Sequence, residues 1–370
     1  MTVALGVAIL AATSALAAGG FAYQNNGDGT VTITNYTGKT TRLEIPGELD
    51  GKRVTAIGES AFFALTGLTT LSIPDSVTSI GWGAFFGCSG LTAVTIPASV
   101  TVIEDQAFAR CRKLRKIEVA QGNPVYASLD GVLVDKTTQT LVVYPSGKPE
   151  RAYTIPDGLP HIGAFAFQFC KALTSLTIPD GVTDIGQGAF GDCTALGKIT
   201  IPDSVLHIGI QAFTGCSKLS AIEVSPNHAV YTSYDGVLVD KTTQSLHSYP
   251  AGKYGKRYEI PNSILTIGES AFEASNLTSI VLPDSIADIG AEAFSASPTL
   301  SKVTLPEGLR RIGEWAFADC RKLTTLTLPR SVTDIGEGAL PSHRWFGLVV
   351  GAGSFGEVYA AENGIPYKVR

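Results

Sequence analysis

The chain alternates apolar and polar positions in short segments that end at a proline. Residues 68–74 read Leu-Thr-Thr-Leu-Ser-Ile-Pro, and residues 173–179 and 323–329 follow the same scheme. An alternation with a period of two is typical of a short strand with one buried face. The pattern therefore predicts short strands that end at the proline, with Leu71 and Ile73 pointing into a core.

The residues after each strand predict a turn and a return to the core. Residues 74–76, Pro-Asp-Ser, favour a turn because proline fixes φ and aspartate can bond its own backbone. Val77 and Ile80 are apolar and three residues apart, so they are expected to bring the chain back to the core. After the glycine that follows Ile80, a short helical stretch is expected to hold the Ala-Phe pair at residues 84–85.

An isoleucine followed by glycine recurs along most of the chain. A unit this short cannot bury its own apolar face, so neighbouring units must stack. The sequence predicts an α/β solenoid over residues 45–340, made of repeats of about 23 residues with mostly short parallel strands, between caps at residues 19–44 and 341–370. The phenylalanines from Phe62 through Phe317 are expected to stack into an apolar spine. The recurring isoleucines are Ile57, Ile80, Ile103, Ile162, Ile185, Ile208, Ile267, Ile289, Ile312 and Ile335, and Ile103 is followed by Glu104 instead of glycine. The intervals between them are 23, 23, 59, 23, 23, 59, 22, 23 and 23 positions.

The two long intervals in this series predict two insertions that are close copies of each other. Residues 130–139, Asp-Gly-Val-Leu-Val-Asp-Lys-Thr-Thr-Gln, return letter for letter 105 positions later. Runs of β-forming residues flank residues 136–139, so each copy is predicted to contain a hairpin. The insertions are placed at about residues 120–152 and 225–257. They either bend the solenoid as spacers or contribute to binding.

The first residues predict an export signal. Residues 3–18 are apolar and small, and Ala-Leu-Ala at residues 15–17 fits the rule for cleavage after Ala17. No Lys or Arg precedes Lys39, which departs from the usual basic start of such a signal. The sequence therefore predicts a signal peptide over residues 1–18, with a buried N-terminal strand as the alternative.

The cysteines occupy one position of the repeat, three residues after the phenylalanine of each Ala-Phe pair. Leu65, Ser275 and Ser297 take that position in other repeats, so it favours a small buried side chain. Neighbouring positions in such a column lie about 5 Å apart, a distance that a disulfide can span. Replacement by Leu or Ser instead favours free thiols that pack as small hydrophobic groups. The six cysteines are Cys88, Cys111, Cys170, Cys193, Cys216 and Cys320.

Composition and charge exclude several classes of partner. The net charge is −5 and the chain has no basic run, which argues against binding to nucleic acid or to an anionic membrane. No segment after the export signal is long and apolar enough to cross a bilayer, so the mature chain is expected to lack a membrane span. Neither Cys-x-x-Cys nor clustered histidine occurs, so no metal site is predicted.

The motifs of enzymes are incomplete. Residues 351–358 fit the Gly-x-Gly-x-x-Gly-x-Val loop of protein kinases, but the catalytic and metal-binding aspartates that a kinase needs further along are missing from residues 359–370. A capping box of Ser354 and Glu357 at the start of a terminal helix explains the same letters. Ser354 also approaches a hydrolase elbow, yet no histidine follows it. We therefore predict no catalytic residue, no cofactor and no enzyme activity.

The outward positions of the predicted strands form the remaining candidate site, which we name the strand face. Its residues are polar, rich in threonine and poor in aromatics. Threonine suits a strand in its own right, so the composition has a purely structural interpretation beside the functional one, a surface for a protein partner. The candidate interaction residues are Thr70, Ser72, Thr95, Lys116, Glu118, Thr177, Lys198, Thr200, Lys302, Thr304, Thr325 and Thr327.

Several motifs together carry a family resemblance. The run Cys-x-x-Leu-x-x-Leu-x-Ile-Pro-Asp-Ser-Val-x-x-Ile-Gly-x-x-Ala-Phe, the Asp-Gly-Val-Leu insertion, and the opening Asp-Gly-Thr-Val-Thr-Ile at residues 28–33 resemble the bacterial BspA-like leucine-rich repeat proteins. The resemblance covers about residues 21–370 and implies a leucine-rich repeat solenoid. The chain departs from ordinary leucine-rich repeats because it lacks the asparagine column after the strand.

The resemblance also implies a location and a role. It implies a secreted or surface-attached bacterial protein that adheres to a host matrix protein or to another microbe. The alternative is a structural component of the cell envelope, in which the solenoid is a spacer without a specific ligand. Saturable binding to a protein partner distinguishes the two.

Overall fold

A computed structural model describes residues 15, 16 and 18–370 of the chain. The described chain divides into two compact units. Unit 1 holds the described residues up to Leu173 together with Gly181–Cys193, and unit 2 holds Thr174–Asp180 and Thr194–Arg370. The predicted signal peptide lies almost entirely outside the described residues, so it stays a prediction.

Each unit is a β-solenoid of short stacked coils, which confirms the predicted fold class. One coil of unit 1 starts with the strand Thr70–Ser72, turns at the following proline and returns through the strand Ser79–Ile80. Leu71 and Ile80 point inward and are buried. Neighbouring coils pair in parallel, for example Ala93–Ile96 with Lys116–Val119.

The strands lie on two sides of the coils. The first side carries Arg42–Glu44, Thr70–Ser72, Ala93–Ile96, Lys116–Val119 and Ala152–Thr154 in unit 1, and Ser175–Thr177, Lys198–Ile201, Ala221–Val224, Ser279–Val281, Lys302–Thr304, Thr325–Thr327, Gly347–Val350 and Tyr367–Val369 in unit 2. The second side carries Ser79–Ile80, Val102–Ile103, His161–Ile162 and Asp184–Ile185 in unit 1, and His207–Ile208, Thr266–Ile267, Asp288–Ile289, Arg311–Ile312 and Asp334–Ile335 in unit 2. At the start of unit 1, the strands are Ala15–Leu16, Phe21–Asn25, Thr30–Tyr36, Glu48–Leu49 and Lys52–Ile57, with a 3-10 turn at Ala18–Gly20.

A third side, which we name the turn wall, follows each Ile-Gly and corrects the prediction of a short helix. In the first full coil, the amides of Gly83, Phe85 and Gly87 donate to carbonyls of the next coil, at 2.8 to 3.1 Å. The amides between them donate three residues back within their own coil. Because alternate amides bond to the neighbouring coil, the i to i−4 ladder of a helix cannot form. The left-handed φ of Gly83 and Gly87, 57° and 75°, also interrupts a helix.

In most repeats a glycine follows the isoleucine, at a point where the backbones of neighbouring coils come close, and Glu104 replaces it after Ile103. A Cβ added to Gly186 would lie 2.5 Å from the backbone nitrogen of Ala164. Such contact with backbone leaves no room for a side chain that points inward. The recurring Ile-Gly thus reflects the close stacking of coils.

The predicted spine of phenylalanine rings is present in each unit. In unit 2, Phe272, Phe294 and Phe317 stack with centroids 4.9 and 5.1 Å apart and ring planes within 9° of parallel. In unit 1, Phe85 stacks between Phe62 and Phe108 at 5.2 and 5.4 Å. The rings are almost completely buried, so the spine forms the centre of each core.

The insertions are coils whose turn wall is cut short. In unit 1, each insertion strand pairs antiparallel with the next one along the chain, and the last strand also pairs in parallel with the following coil. These strands are Tyr126–Leu129, Val132–Asp135 and Thr140–Val143. Tyr144 follows and takes the place of the phenylalanine, because its ring stacks on Phe167 at 5.0 Å. Unit 2 repeats this arrangement with Tyr231–Tyr234, Val237–Asp240 and Ser245–Ser248.

The cysteines are buried and form no disulfide, and their thiols have a hydrogen-bond partner that the sequence did not predict. The thiol of Cys88 donates to the carbonyl of Phe62 in the preceding coil at 3.2 Å, and Cys320 donates to Phe294 at 3.1 Å. Ser297 places its hydroxyl on the equivalent carbonyl, that of Phe272, at 2.9 Å. This position therefore accepts either Cys or Ser, because both are small and can donate a hydrogen bond to that carbonyl. Burial raises the pKa of the Cys88 and Cys320 thiols to about 12.

The last residues add a strand, a helix and a second strand to unit 2. The helix Phe355–Glu362 begins at Ser354, whose hydroxyl accepts from the amide of Glu357 at 3.3 Å. The Glu357 carboxylate in turn accepts from the amide of Gly353. These bonds are close to the predicted capping box, so the glycine-rich letters serve the start of a helix.

Candidate interaction surface

The strand face of unit 1 holds its predicted residues on the outward side of three strands. Thr70, Ser72, Thr95 and Lys116 are exposed, and Glu118 is partly exposed. The residues between them, such as Leu71 and Val94, are buried because successive side chains on a strand point to opposite sides. The predicted residues of unit 1 therefore share one surface.

The strand face of unit 2 follows the same rule. Its predicted residues, all exposed, are Thr177, Lys198, Thr200, Lys302, Thr304, Thr325 and Thr327. Lys302 and Thr304 flank the buried Val303, and Thr325 and Thr327 flank the buried Leu326. Each pair thus presents two neighbouring polar groups to a partner.

Lysine and glutamate side chains pair on this surface. The Lys116 ammonium lies 3.0 Å from the Glu118 carboxylate in unit 1, and Lys198 lies 3.2 Å from Glu223 in unit 2. All four side chains are about half exposed, so each pair contributes at most about 1 kcal/mol to stability. Each of these charged side chains can therefore leave its ion pair and pair with a charged group of a ligand.

Clefts lie beside the strands of the strand face in both units. In unit 1, a cleft of about 370 Å³ lies between Lys116 and the insertion residues Asp130 and Lys148. Lys148 donates to the Asp130 carbonyl at 2.8 Å, which fixes one wall of the cleft. The path of the insertion backbone sets the shape of this cleft, and the alternation of residues along a strand does not predict that path.

Unit 2 has a more apolar cleft on its strand face. It measures about 490 Å³ and is lined by Tyr258, Val281, Lys302 and Thr304 among others. Val281 is 62% exposed, which is unusual for a valine on a strand. Residues 257–260 meet the strand Ser279–Val281 through only one isolated bridge, so the two segments leave a groove between them.

An aromatic cluster on the turn wall of unit 1 was not found from the sequence. Phe63 and Phe86 stack at 5.3 Å with ring planes 4° apart, and Phe63 is 55% exposed. The Arg110 guanidinium lies 4.3 Å from the ring centroid of Phe169 and 5.4 Å from that of Phe86. Arg110 and Phe169 lie on either side of the insertion in sequence, so the shortened insertion coil brings their coils together on this wall.

The turn wall of unit 2 holds a cluster of polar and acidic side chains beside the second insertion. The Gln211 amide donates to the Glu273 carboxylate, the Glu292 carboxylate and the Ser270 hydroxyl, at 3.2 to 3.3 Å. Burial and the neighbouring Glu292 raise the pKa of the Glu273 carboxyl to about 7. A raised carboxyl pKa means that this group stabilises the fold at acid pH, and its contribution falls as the pH rises from about 4.5 through about 7.

Histidines divide into surface and buried groups. His207 is exposed, and His161 is partly exposed and lies 3.0 Å from the Asp184 carboxylate. His228 and His247 are different, because burial lowers the pKa of both imidazoles. Nothing in the repeat motif marked these two positions.

The described residues contain neither a candidate metal cluster nor a helix that could span a membrane. Within residues 15, 16 and 18–370, no three His, Cys, Asp or Glu side chains cluster closely enough to hold a metal ion. Over the same residues, no helix has the length and hydropathy needed to cross a bilayer.

The stacked coils, the buried ring spine and the outward polar strands define a leucine-rich repeat protein of the solenoid class. Residues 35–127, 149–236 and 252–344 match the BspA type leucine rich repeat region, in six copies. These residues make up more than half of the chain, so the chain belongs to the BspA-type leucine-rich repeat family. The resemblance noted in the sequence is thereby confirmed.

Solved structures of similar proteins come from bacteria. The chain is similar to a leucine rich cell surface protein from Faecalibacterium prausnitzii, with 28% identity and a TM-score of 0.58 over 95% of this chain and 93% of that chain. It shares its fold with the pneumococcal vaccine antigen PcpA, with 18% identity and a TM-score of 0.51 over 97% of this chain and 99% of that chain. No curated protein sequence matches the chain.

Proposed function

We propose that this chain is a secreted or cell-surface adhesion module that binds a protein partner through its strand face. The observation that carries the proposal is the exposed polar pair on successive strands, such as Lys302 with Thr304 and Thr325 with Thr327. Membership of the family and the likeness to a cell surface protein support a location outside the cell. Catalysis is not part of the proposed role.

The chemistry of the strand face suits a protein surface better than a small molecule. Threonine hydroxyls donate and accept hydrogen bonds, and the lysines add charge that can pair with partner carboxylates. Such contacts are individually weak, so binding requires many of them over a wide area. The clefts beside Lys116 and Lys302 add places where partner side chains can insert. The proposed partner is a host matrix protein or a surface protein of another microbe.

Binding of the whole chain to immobilised matrix proteins tests the proposal. We expect saturable binding to at least one of them, and at least tenfold weaker binding by a variant with Thr304→Arg, Thr325→Arg and Thr327→Arg. Arginine at these exposed positions leaves the core intact but obstructs a docked surface. A tenfold loss corresponds to about 1.4 kcal/mol of binding free energy.

A matched variant controls for charge and for surface disruption. Leu206→Arg, Leu265→Arg and Thr333→Arg add the same three charges at exposed positions of unit 2 outside the strand face. This variant is expected to bind as the unchanged chain does. Equal loss in both variants, or no saturable binding to any matrix or microbial surface protein, would contradict the proposal and favour the spacer role.

A further inference from the structure

A cleft of about 570 Å³ opens near the last coil of unit 2, away from the strand face residues named above. It lies between residues 338–346 and the end of the helix Phe355–Glu362 with the segment that follows. Leu340, Phe346 and Ile365 give it apolar walls. Its volume falls within the range of clefts that bind small organic ligands, about 300 to 1,000 Å³.

Polar side chains that can donate hydrogen bonds also line this cleft, among them His343 and Arg344. Both ring nitrogens of His343 are buried and have no hydrogen-bond partner. The guanidinium of Arg344, another lining residue, lies 4.2 Å from the ring centroid of Trp345, which holds this flexible side chain against a flat surface. The Asn363 amide nitrogen is already used, because it donates to the Tyr359 carbonyl at 2.9 Å. No Asp or Glu side chain is among the residues that line the cleft.

The missing component is an acceptor with negative charge. An imidazole carries at least one N–H in every protonation state, and a buried N–H without an acceptor is unfavourable. A carboxylate satisfies that N–H, and it also pairs with the guanidinium of Arg344 through charge-assisted bonds. The apolar walls then favour a hydrocarbon or aromatic body over a polar one.

We propose that this cleft binds an organic carboxylate with an apolar body. His343 and Arg344 donate to the carboxylate, and Leu340, Phe346 and Ile365 contact the apolar part. A free aromatic acid and the C-terminal end of a peptide both carry this chemistry. The site is separate from the strand face, so it does not rest on the proposed adhesion function.

Two probes that differ only in charge test the proposal by calorimetry with the full chain. N-acetyl-phenylalanine carries the carboxylate, and its amide lacks it. We expect saturable binding of the acid and at least tenfold weaker binding of the amide. Equal affinity for acid and amide, or no binding of the acid up to about 10 mM, would overturn the proposal.

Variants assign the binding to the cleft. Arg344→Gln changes an exposed side chain and is expected to weaken binding of the acid at least tenfold without altering the thermal midpoint. His343→Gln is expected to weaken it as well, and Arg321→Gln, an exposed arginine of unit 2 outside the cleft, to leave it unchanged. If Arg344→Gln and His343→Gln both bind the acid as the unchanged chain does, the cleft is not the site and the proposal fails.

The source of the carboxylate is decided with a tripeptide that ends in phenylalanine. Binding of the tripeptide as tight as that of N-acetyl-phenylalanine supports a peptide chain end as the ligand. Binding of the single residue alone supports a free acid. In both cases the tripeptide amide is expected to bind at least tenfold more weakly than any acid that binds.

Discussion

Replacing Phe294 by alanine is expected to destabilise unit 2 by about 3 to 5 kcal/mol. The ring is completely buried and stacks between Phe272 at 4.9 Å and Phe317 at 5.1 Å. Its removal leaves a cavity in a spine that neighbouring coils share, and the hydrogen bonds between coils resist collapse into that cavity. Urea unfolding followed by circular dichroism measures the loss.

Phe63→Ala is the matched control for this experiment. Phe63 stacks on Phe86 with nearly the same geometry, at 5.3 Å and 4°, but it is 55% exposed. Since burial and not stacking provides most of the energy, the control is expected to cost about 1 kcal/mol or less. A control loss as large as that of Phe294→Ala would show that the spine is not held by burial.

Two buried histidines are expected to lower the stability of unit 2 in acid, in opposition to Glu273, whose raised pKa favours the folded state there. Burial lowers the pKa of His228 and His247. Below about 6.5 the histidines of the unfolded chain take up protons that the folded chain does not bind. Their contribution to stability is therefore complete above that pH and falls as the pH decreases.

The geometry explains why the folded chain rejects the proton. Nδ1 of His228 accepts from the backbone amides of Val230 and Tyr231, both at 3.1 Å, so no proton fits there. Nε2 of His247 lies 2.9 Å from the carbonyl of Ile208, and its other nitrogen is buried without a partner. A charge on either ring would be buried with no carboxylate bonded to it.

Unit 1 supplies the matched substitutions for this prediction. Asn123 and Val142 occupy the positions that the duplication aligns with His228 and His247. The Asn123 carboxamide oxygen accepts from the equivalent amides, those of Val125 and Tyr126, at 2.9 and 2.7 Å, and a carboxamide does not titrate. We expect the double variant His228→Asn with His247→Val to remove most of the acid sensitivity, measured by urea unfolding at about pH 5 and about pH 7.5.

A control and a contradicting outcome accompany this prediction. His207→Asn changes an exposed histidine of the same unit, so the acid sensitivity is expected to persist. If the double variant unfolds in acid as readily as the unchanged chain, other groups cause the acid sensitivity and the assignment to His228 and His247 is wrong.

The stacking could be predicted from the sequence because the interval between the recurring isoleucines does not depend on the conformation within a repeat. An isoleucine that recurs at a fixed short interval requires stacked coils whether the segment after it is a helix or a turn. The short helix around Ala84 and Phe85 was wrong because alternate amides of that segment bond to the next coil. The hydrogen-bond acceptors that decide this conformation lie in the next coil, so the local helix propensity of the segment could not predict it.

The strand face was predicted to residue level, but the other candidate sites were not. Alternation along a strand fixes which side chains point outward, so Thr70 and Thr304 are exposed as expected. The cleft beside His343 depends on how the last residues fold back, which no repeat motif encodes. The buried His228 could have been found from the sequence, because the duplication aligns it with Asn123. An ionisable side chain thus stands where the other copy has a neutral one.

The central claim is that residues one repeat apart in sequence are neighbours in a stack of coils, and a cross-link tests it most directly. Thr95 and Glu118 are partners in the parallel register, on strands about 5 Å apart, which suits a disulfide. Ser72 and Glu118 lie two repeats apart, at about twice that distance. The six native thiols are buried and do not compete.

The measurement is the extent of disulfide formation, by mass spectrometry after mild oxidation, in the variant Thr95→Cys with Glu118→Cys and in the variant Ser72→Cys with Glu118→Cys. The stack predicts near-complete cross-linking in the first variant and little in the second. A first pair that stays reduced, or that cross-links no more readily than the second pair, would contradict the stacked-coil account.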